Sequence, residues 1–150
     1  MYDGDNGTVL DSFLMQAAVG HPLTVHGTGG QTRVFIYIQD TVKCIELALI
    51  NPPAQGSRVK ILNQMTETPR VRGLEEMVSE MIGVPIEFMK NQRFETDENE
   101  LHADNRSFLE MSLDPITLNK GLVMEVHDVA AKYRDRCDKD KVPAGSLWRR

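Results

Sequence analysis

The chain has 150 residues, 41% of them hydrophobic and 26% charged, with a formal net charge of −5. A chain of this size folds as one domain and buries about 70% of the surface its unfolded form exposes. No apolar run approaches the ~20 residues of a membrane helix, the polar start Met1–Asp5 does not read as a signal peptide, and the acidic balance argues against nucleic acid as a partner. The two cysteines, Cys44 and Cys137, lie far apart without a CxxC pair. They suggest neither a disulfide framework nor a thiolate metal site, and they fit a reducing, cytoplasmic setting.

Val9, Leu10, Phe13, Leu14 and Ala17 share one helical face, with Thr8 as N-cap and Gly20 as C-terminal stop. Pro22–His26 then alternates as a short strand, and Gly27–Gly30 reads as a hairpin turn. Arg33–Ile38 is β-branched and aromatic and predicts a strand. A helix capped by Asp40 follows, running to about Ile50, with Val42, Ile45 and Leu49 inward and Asn51-Pro52-Pro53 as its stop. Arg58–Asn63 reads as another strand. Thr68-Pro69 opens a helix whose apolar stripe is Val71, Leu74, Val78, Met81 and Ile82, ended by Gly83. Pro85–Met89 is a short strand and 91–104 a polar, acidic loop. Phe108, Leu109 and Met111 mark a short helix. Leu118 to about Tyr133 forms the last one, with Leu122, Val126, Val129 and Tyr133 at helical spacing. A charged tail with Pro143-Ala144-Gly145 and Trp148 closes the sequence. Short strands among about five helices give an α/β (α+β) class.

Few residues in this pattern carry chemistry. Gly27-Thr28-Gly29-Gly30 leads into a strand, whereas a dinucleotide fingerprint requires spaced glycines that open a helix. His21, His26, His102 and His127 have no helical metal-site spacing, and no nucleophile has an evident base, so no catalytic and no metal residue is assigned. Glu95, Asp97, Glu98 and Glu100 crowd one loop and read as a solvated face. Arg33 follows a glycine turn and Arg93 follows a short strand. Both positions suit a guanidinium fork meeting phosphate, but spacing alone favours a surface ion pair.

A longer pattern decides between these readings. Tyr2-Asp3-Gly4 with Gly7-Thr8, Gln16-Ala17-Ala18-Val19-Gly20-His21-Pro22-Leu23-Thr24-Val25, Gly29-Gly30-Gln31-Thr32-Arg33, Asp40-Thr41-Val42, Asn51-Pro52, and Asn63-Gln64 with Thr66-Glu67 resemble the C-terminal half of the extended short-chain dehydrogenase/reductases that act on sugar nucleotides. The likeness is strong to residue 67. It thins through Asn91-Gln92-Arg93, Leu113-Asp114-Pro115, Tyr133–Arg136 and Trp148.

The resemblance implies a substrate domain plus the last strand and helix of a Rossmann sheet. Residues 1–135 would form one substrate-domain-like unit and 136–150 an extension, with the N-terminal Rossmann domain absent. Complete enzymes of the family hold NAD on that domain and use a Tyr-x-x-x-Lys pair. Here Tyr2, Tyr37 and Tyr133 are followed four residues later by Asn6, Thr41 and Cys137. The resemblance therefore implies a UDP-sugar-binding part that is not catalytic alone and holds no cofactor alone. Arg33 and Arg93 would meet the diphosphate, Val25 and His26 the uridine, and Gln31 the sugar or phosphate end, with Thr8, Val9 and Leu10 near the nucleotide. The alternative is a self-associating module without nucleotide affinity. Strand 58–63 would lack sheet neighbours and leave apolar faces open, which predicts association into a dimer or larger species, or with a separate Rossmann-domain chain.

Overall fold

The computed structural model describes residues 8–90, 98–99 and 101–142. Among them the chain forms α1 (Val9–Ala18), β1 (Leu23–His26), β2 (Gly30–Gln31), α2 (Ile38–Ile50), α3 (Val71–Ile82), β3 (Ile86–Met89), β4 (Glu98–Asn99), α4 (Arg106–Glu110) and α5 (Lys120–Lys132). Two 3-10 turns, Arg134–Arg136 and Lys139–Lys141, follow. The mixed helix-and-strand class is the expected one. By compactness the chain divides into two units. The first comprises residues 1–32, 70–100 and 119–150, and the second residues 33–69 and 101–118.

The first unit is built on α1. Thr8 caps it in a capping box: its hydroxyl accepts from the Asp11 amide at 3.3 Å while the Asp11 carboxylate accepts from the Thr8 amide at 3.1 Å. The other end closes as a Schellman motif, with the Gly20 amide donating to Ala17 and the His21 amide to Gln16. Gly20 sits at φ +74°, a conformation that glycine takes without a Cβ penalty. Thr8→Ala is expected to lower the unfolding free energy of this unit by about 1 kcal/mol, measured by urea denaturation.

Phe13, Leu14 and Ala17 of α1, Leu23 and Val25 of β1, Val71, Leu74 and Val78 of α3, and Val123 of α5 are buried and form this unit's core. β1 pairs with β3 in parallel, Leu23 opposite Ile86 through His26 opposite Met89, and α3 packs against β1. β2 pairs in parallel with β4, Gly30 opposite Glu98. Because β1 and β2 lie in different sheets, the glycine turn between them is not a hairpin.

Three other expectations change in this unit. The first strand buries three consecutive residues instead of alternating, because helices and its partner strand enclose it. Pro69 precedes α3, whose N-cap is Arg70. On α5 the buried residue is Val123, while Val129 and Tyr133 face solvent. Trp148 lies outside the described residues.

The second unit has a smaller core of Cys44, Phe108 and Leu113, with Ile36, Leu47, Leu62 and Met111 packed on it. Polar groups close it. The Asp40 carboxylate accepts from the Ile116 amide at 2.6 Å and faces Lys43 Nζ at 3.3 Å. The Glu67 carboxylate accepts from the Leu118 amide, and Asn105 Nδ2 donates to the Met65 carbonyl at 2.7 Å.

This unit departs furthest from the sequence pattern. Residues 33–37 form no strand. They make one antiparallel bridge, Phe35 with Glu67, and Ile38 joins α2. Residues 58–63 form no strand either, since a strand requires a ladder partner and none lies beside them among the described residues. The N-cap of α2 is Tyr37, and Asp40 is a buried residue of its first turn. The helix is also turned relative to expectation: Asp40 and Cys44 face inward, and Val42, Ile45 and Leu49 face out.

Candidate functional site

The most constrained piece of backbone in the first unit is the turn from β1 to β2. Gln16, buried on α1, fixes the strand that leads into it. Its Nε2 donates to Thr24 Oγ1 at 2.7 Å and its Oε1 accepts from the Thr24 amide at 3.0 Å. Val25 is buried, His26 half-buried, and the Gly27 amide donates to the Met89 carbonyl at 2.9 Å.

The start of α3 locks the turn itself. The Arg72 amide donates to the Gly29 carbonyl at 2.9 Å, and its guanidinium donates to the Thr28 carbonyl at 2.7 Å. Gly29 lies at φ +69°. A Cβ there would sit 3.3 Å from Arg72 Cβ, Arg72 N and Val25 Cγ1. Glycine is thus required both by conformation and by the closeness of α3. Beyond the turn Gln31 is buried, and Thr32 is held at both ends by Asn99. Its amide donates to Asn99 Oδ1 at 2.6 Å and its hydroxyl to the Asn99 carbonyl at 3.1 Å.

The structure thus places Val25, His26 and Gln31 around one rigid turn. Thr8 is exposed, and Val9 and Leu10 are half-buried in the first turn of α1. The Thr8 hydroxyl is already engaged with Asp11. Arg33 belongs to the second unit, where it is half-buried and its amide donates to the Pro69 carbonyl at 3.0 Å. Arg93 lies outside the described residues.

Sequence reading missed Arg72, which closes the turn from the first turn of α3, and Asn99, which pins Thr32. It also missed Glu75. This α3 carboxylate is fully buried and neither oxygen has a hydrogen-bond partner. Burial pushes its pKa up to about 7; the Glu76 charge adds to the rise and Arg72 opposes it. A cleft of about 420 Å³ at the C-terminal end of α1 is lined by residues that include Gly20, Arg134 and Lys139, and by none of the predicted site residues. Among the described residues no three His, Cys, Asp or Glu side chains could hold a metal ion, and no helix is long and apolar enough to cross a membrane.

Residues 1–62 match the model of the NAD dependent epimerase/dehydratase family. Over 99% of its length the chain is 40% identical to UDP-sulfoquinovose synthase of Spinacia oleracea, a chloroplastic protein, and covers 32% of that protein. The chain is thus similar to a part of epimerase/dehydratase-family proteins. A second UDP-sulfoquinovose synthase, from Sulfolobus acidocaldarius, is 36% identical over 67% of the chain and 26% of its own length. The chain thus spans about a third of the curated relatives it matches, or less. Among solved structures, UDP-glucuronic acid 4-epimerase of Bacillus cereus, in complex with UDP-glucuronic acid and NAD, superposes with a TM-score of 0.60 at 20% identity. That match covers 86% of this chain and 40% of the epimerase. At that identity it establishes a common fold.

The Bacillus cereus epimerase is in complex with NAD; in this chain the glycine turn leads into β2 and not into a helix, so the turn lacks the helix N-terminus on which a dinucleotide fingerprint seats a pyrophosphate.

Proposed function

We propose that this chain is the carboxy-terminal, UDP-sugar-binding part of a UDP-sulfoquinovose synthase-like protein and is not catalytic by itself. The observation that carries this reading is the 40% identity to the Spinacia oleracea synthase across 99% of the chain. The turn supports it, because Gly27–Gly29 is bonded from both sides and holds the half-buried His26 in a fixed place, and a preformed site loses little freedom when it binds. Arg33 and Arg93 supply guanidinium groups for the diphosphate, and Thr8, Val9 and Leu10 border the nucleotide. NAD and the redox residues belong to a Rossmann part outside this sequence, on the same polypeptide or on a separate chain. The free cysteines Cys44 and Cys137 suit a reducing, cytoplasmic setting.

Calorimetry with UDP-glucose tests the proposal. Saturable binding is expected, weakened about tenfold or more in Arg33→Ala, because a charge-assisted bond to phosphate is lost. No heat with millimolar UDP-sugar would overturn it. It would favour the second reading, a self-associating module of the same ancestry without nucleotide affinity, which the exposed apolar side chains of the second unit support. Turnover of UDP-glucose with NAD and sulfite by this chain alone would overturn both.

A further inference from the structure

We propose that Glu75 is a proton-controlled latch on the glycine turn: while its carboxyl is protonated Arg72 clamps the turn between β1 and β2, and once it is ionised Arg72 is drawn to Glu75 and lets the turn go. Glu75 is fully buried and neither of its oxygens has a hydrogen-bond partner. A buried carboxylate without a partner is costly, so the group is held as the neutral acid. Its own unit already encloses it, so the burial does not depend on what further chain is present.

Arg72, one helical turn earlier on α3, links this carboxyl to the turn. Its guanidinium donates to the Thr28 carbonyl at 2.7 Å and its amide to the Gly29 carbonyl at 2.9 Å. Residues three apart on a helix are neighbours, and the Arg72 charge opposes the rise of the Glu75 pKa to about 7. An ionised Glu75 needs a partner, and an arginine bonds a carboxylate more strongly than a neutral carbonyl. Pairing with Glu75 turns the guanidinium away from Thr28. The backbone bond to Gly29 stays, so the turn loosens at Thr28 without unfolding. The other charge acting on Glu75 is Glu76, on the same helix. Of the elements packed against α3, α1 carries Asp11, β1 carries His26, β2 carries no titratable residue, and the described side chains of α5 include Glu125, His127, Asp128 and Lys132. The two histidines are half-buried and the rest exposed, and none bonds to the carboxyl.

The turn holds His26, so on the UDP-sugar reading above, on which this last step rests, nucleotide affinity falls as pH rises through the neutral range. NMR tests the latch without any nucleotide. The Thr28 carbonyl and the Gly29 nitrogen share one peptide group, so the Gly29 nitrogen shift reports the bond from Arg72. In the unmodified chain it is expected to move with the same midpoint as the Glu75 carboxyl carbon, near 7. In Glu75→Gln that movement is expected to vanish, and comparing the two chains cancels His26, which both carry. In Arg72→Ala the midpoint of Glu75 should rise, because the cation favouring its ionised form is gone. A Gly29 shift that does not follow the Glu75 carboxyl, or an identical Gly29 profile in Glu75→Gln, would overturn the latch. Calorimetry with UDP-glucose at about pH 6 and pH 8 then reads the site. Affinity should be roughly fivefold higher at the lower pH, the equivalent of one net hydrogen bond, and equal at both in Glu75→Gln. Equal affinity in the unmodified chain would overturn the coupling to the site. A titrating turn with no UDP-glucose binding at either pH removes the UDP-sugar reading and leaves the latch standing, and UDP-glucose binding with a Gly29 shift indifferent to Glu75 does the reverse.

Discussion

Replacing Glu75 with leucine is expected to stabilise the first unit by roughly 3 kcal/mol at pH 8 and by progressively less as the pH falls towards 5. The Glu75 carboxyl is fully buried among Val71, Leu74 and Val78, and neither oxygen has a partner. Its ordinary value is 4.5 and burial moves it to about 7. Between these two values the folded chain holds a proton that the unfolded chain has released. Unfolding therefore releases a proton, and stability falls as pH rises across that window. Below about 4.5 both states are protonated and the group makes no pH-dependent contribution. Above about 7 the folded chain must also ionise a buried carboxyl, so the penalty is fully present. A shift of about 2.5 units corresponds to roughly 3 kcal/mol. Urea denaturation from pH 5 to 8 checks this through the difference between the unmodified chain and the variant, in which the other titrating groups cancel. Glu75→Gln should flatten the same part of the profile without the full gain, since it leaves a buried amide. A difference independent of pH would mean that Glu75 is ionised in the folded chain throughout.

The same residue shows how far the pattern of the sequence reaches. Glu75 stands four residues after Val71 and three before Val78, in the middle of the stripe that correctly defines the buried face of α3. Spacing gives the face, but a polar residue within it reads as a border until coordinates show what surrounds it. The elements of the first unit were legible because their signals are local: the N-cap at Thr8, the stop at Gly20, the apolar stripes of α1 and α3. The tie between Gln16 and Thr24 spans eight residues and carries no periodic signature.

Errors gather in the second unit for one physical reason. Arg33–Ile38 and Arg58–Asn63 have the β-branched composition of strands, but a strand exists only beside another, and the described residues form no ladder with either. The stripe of α2 is misassigned for a related reason. Val42, Ile45 and Leu49 are a true apolar face, and periodicity alone does not say whether an apolar face meets its own core or another surface. The position of the glycine turn could be found from the sequence, but not that it joins strands of two different sheets. Arg72, which closes the turn, could not, because an arginine in the first turn of a helix looks like any solvated one.

Phe108→Ala is expected to cost about 3–5 kcal/mol, the range for deleting a buried aromatic ring, and so to melt most of the second unit. The core cluster around it is small: Cys44, Phe108 and Leu113 with four half-buried neighbours, and Met65 is buried in the same unit. The ring is 1% exposed and is the largest side chain in it. Little remains to collapse into the space it leaves, which puts the cost near the upper end. Cys44 reports the change directly. Burial, with the neighbouring Asp40 charge, holds its thiol above the ordinary value, so in the intact unit it reacts slowly with a disulfide reagent. In a Cys137→Ser background Cys44 is the chain's remaining thiol. Phe108→Ala should raise its labelling rate by the factor by which the open population grows, on the order of 100-fold or more for 3 kcal/mol. Phe108→Leu, which keeps most of the apolar volume, should raise it far less. Equal labelling rates in all three chains would show that Cys44 is shielded by something other than this core. Because Arg33 lies in the same unit, the alanine variant should also lose its share of UDP-glucose affinity, while Arg33→Ala should lose affinity without any change in thiol labelling. The two variants thus separate the packing that holds the guanidinium from the guanidinium itself.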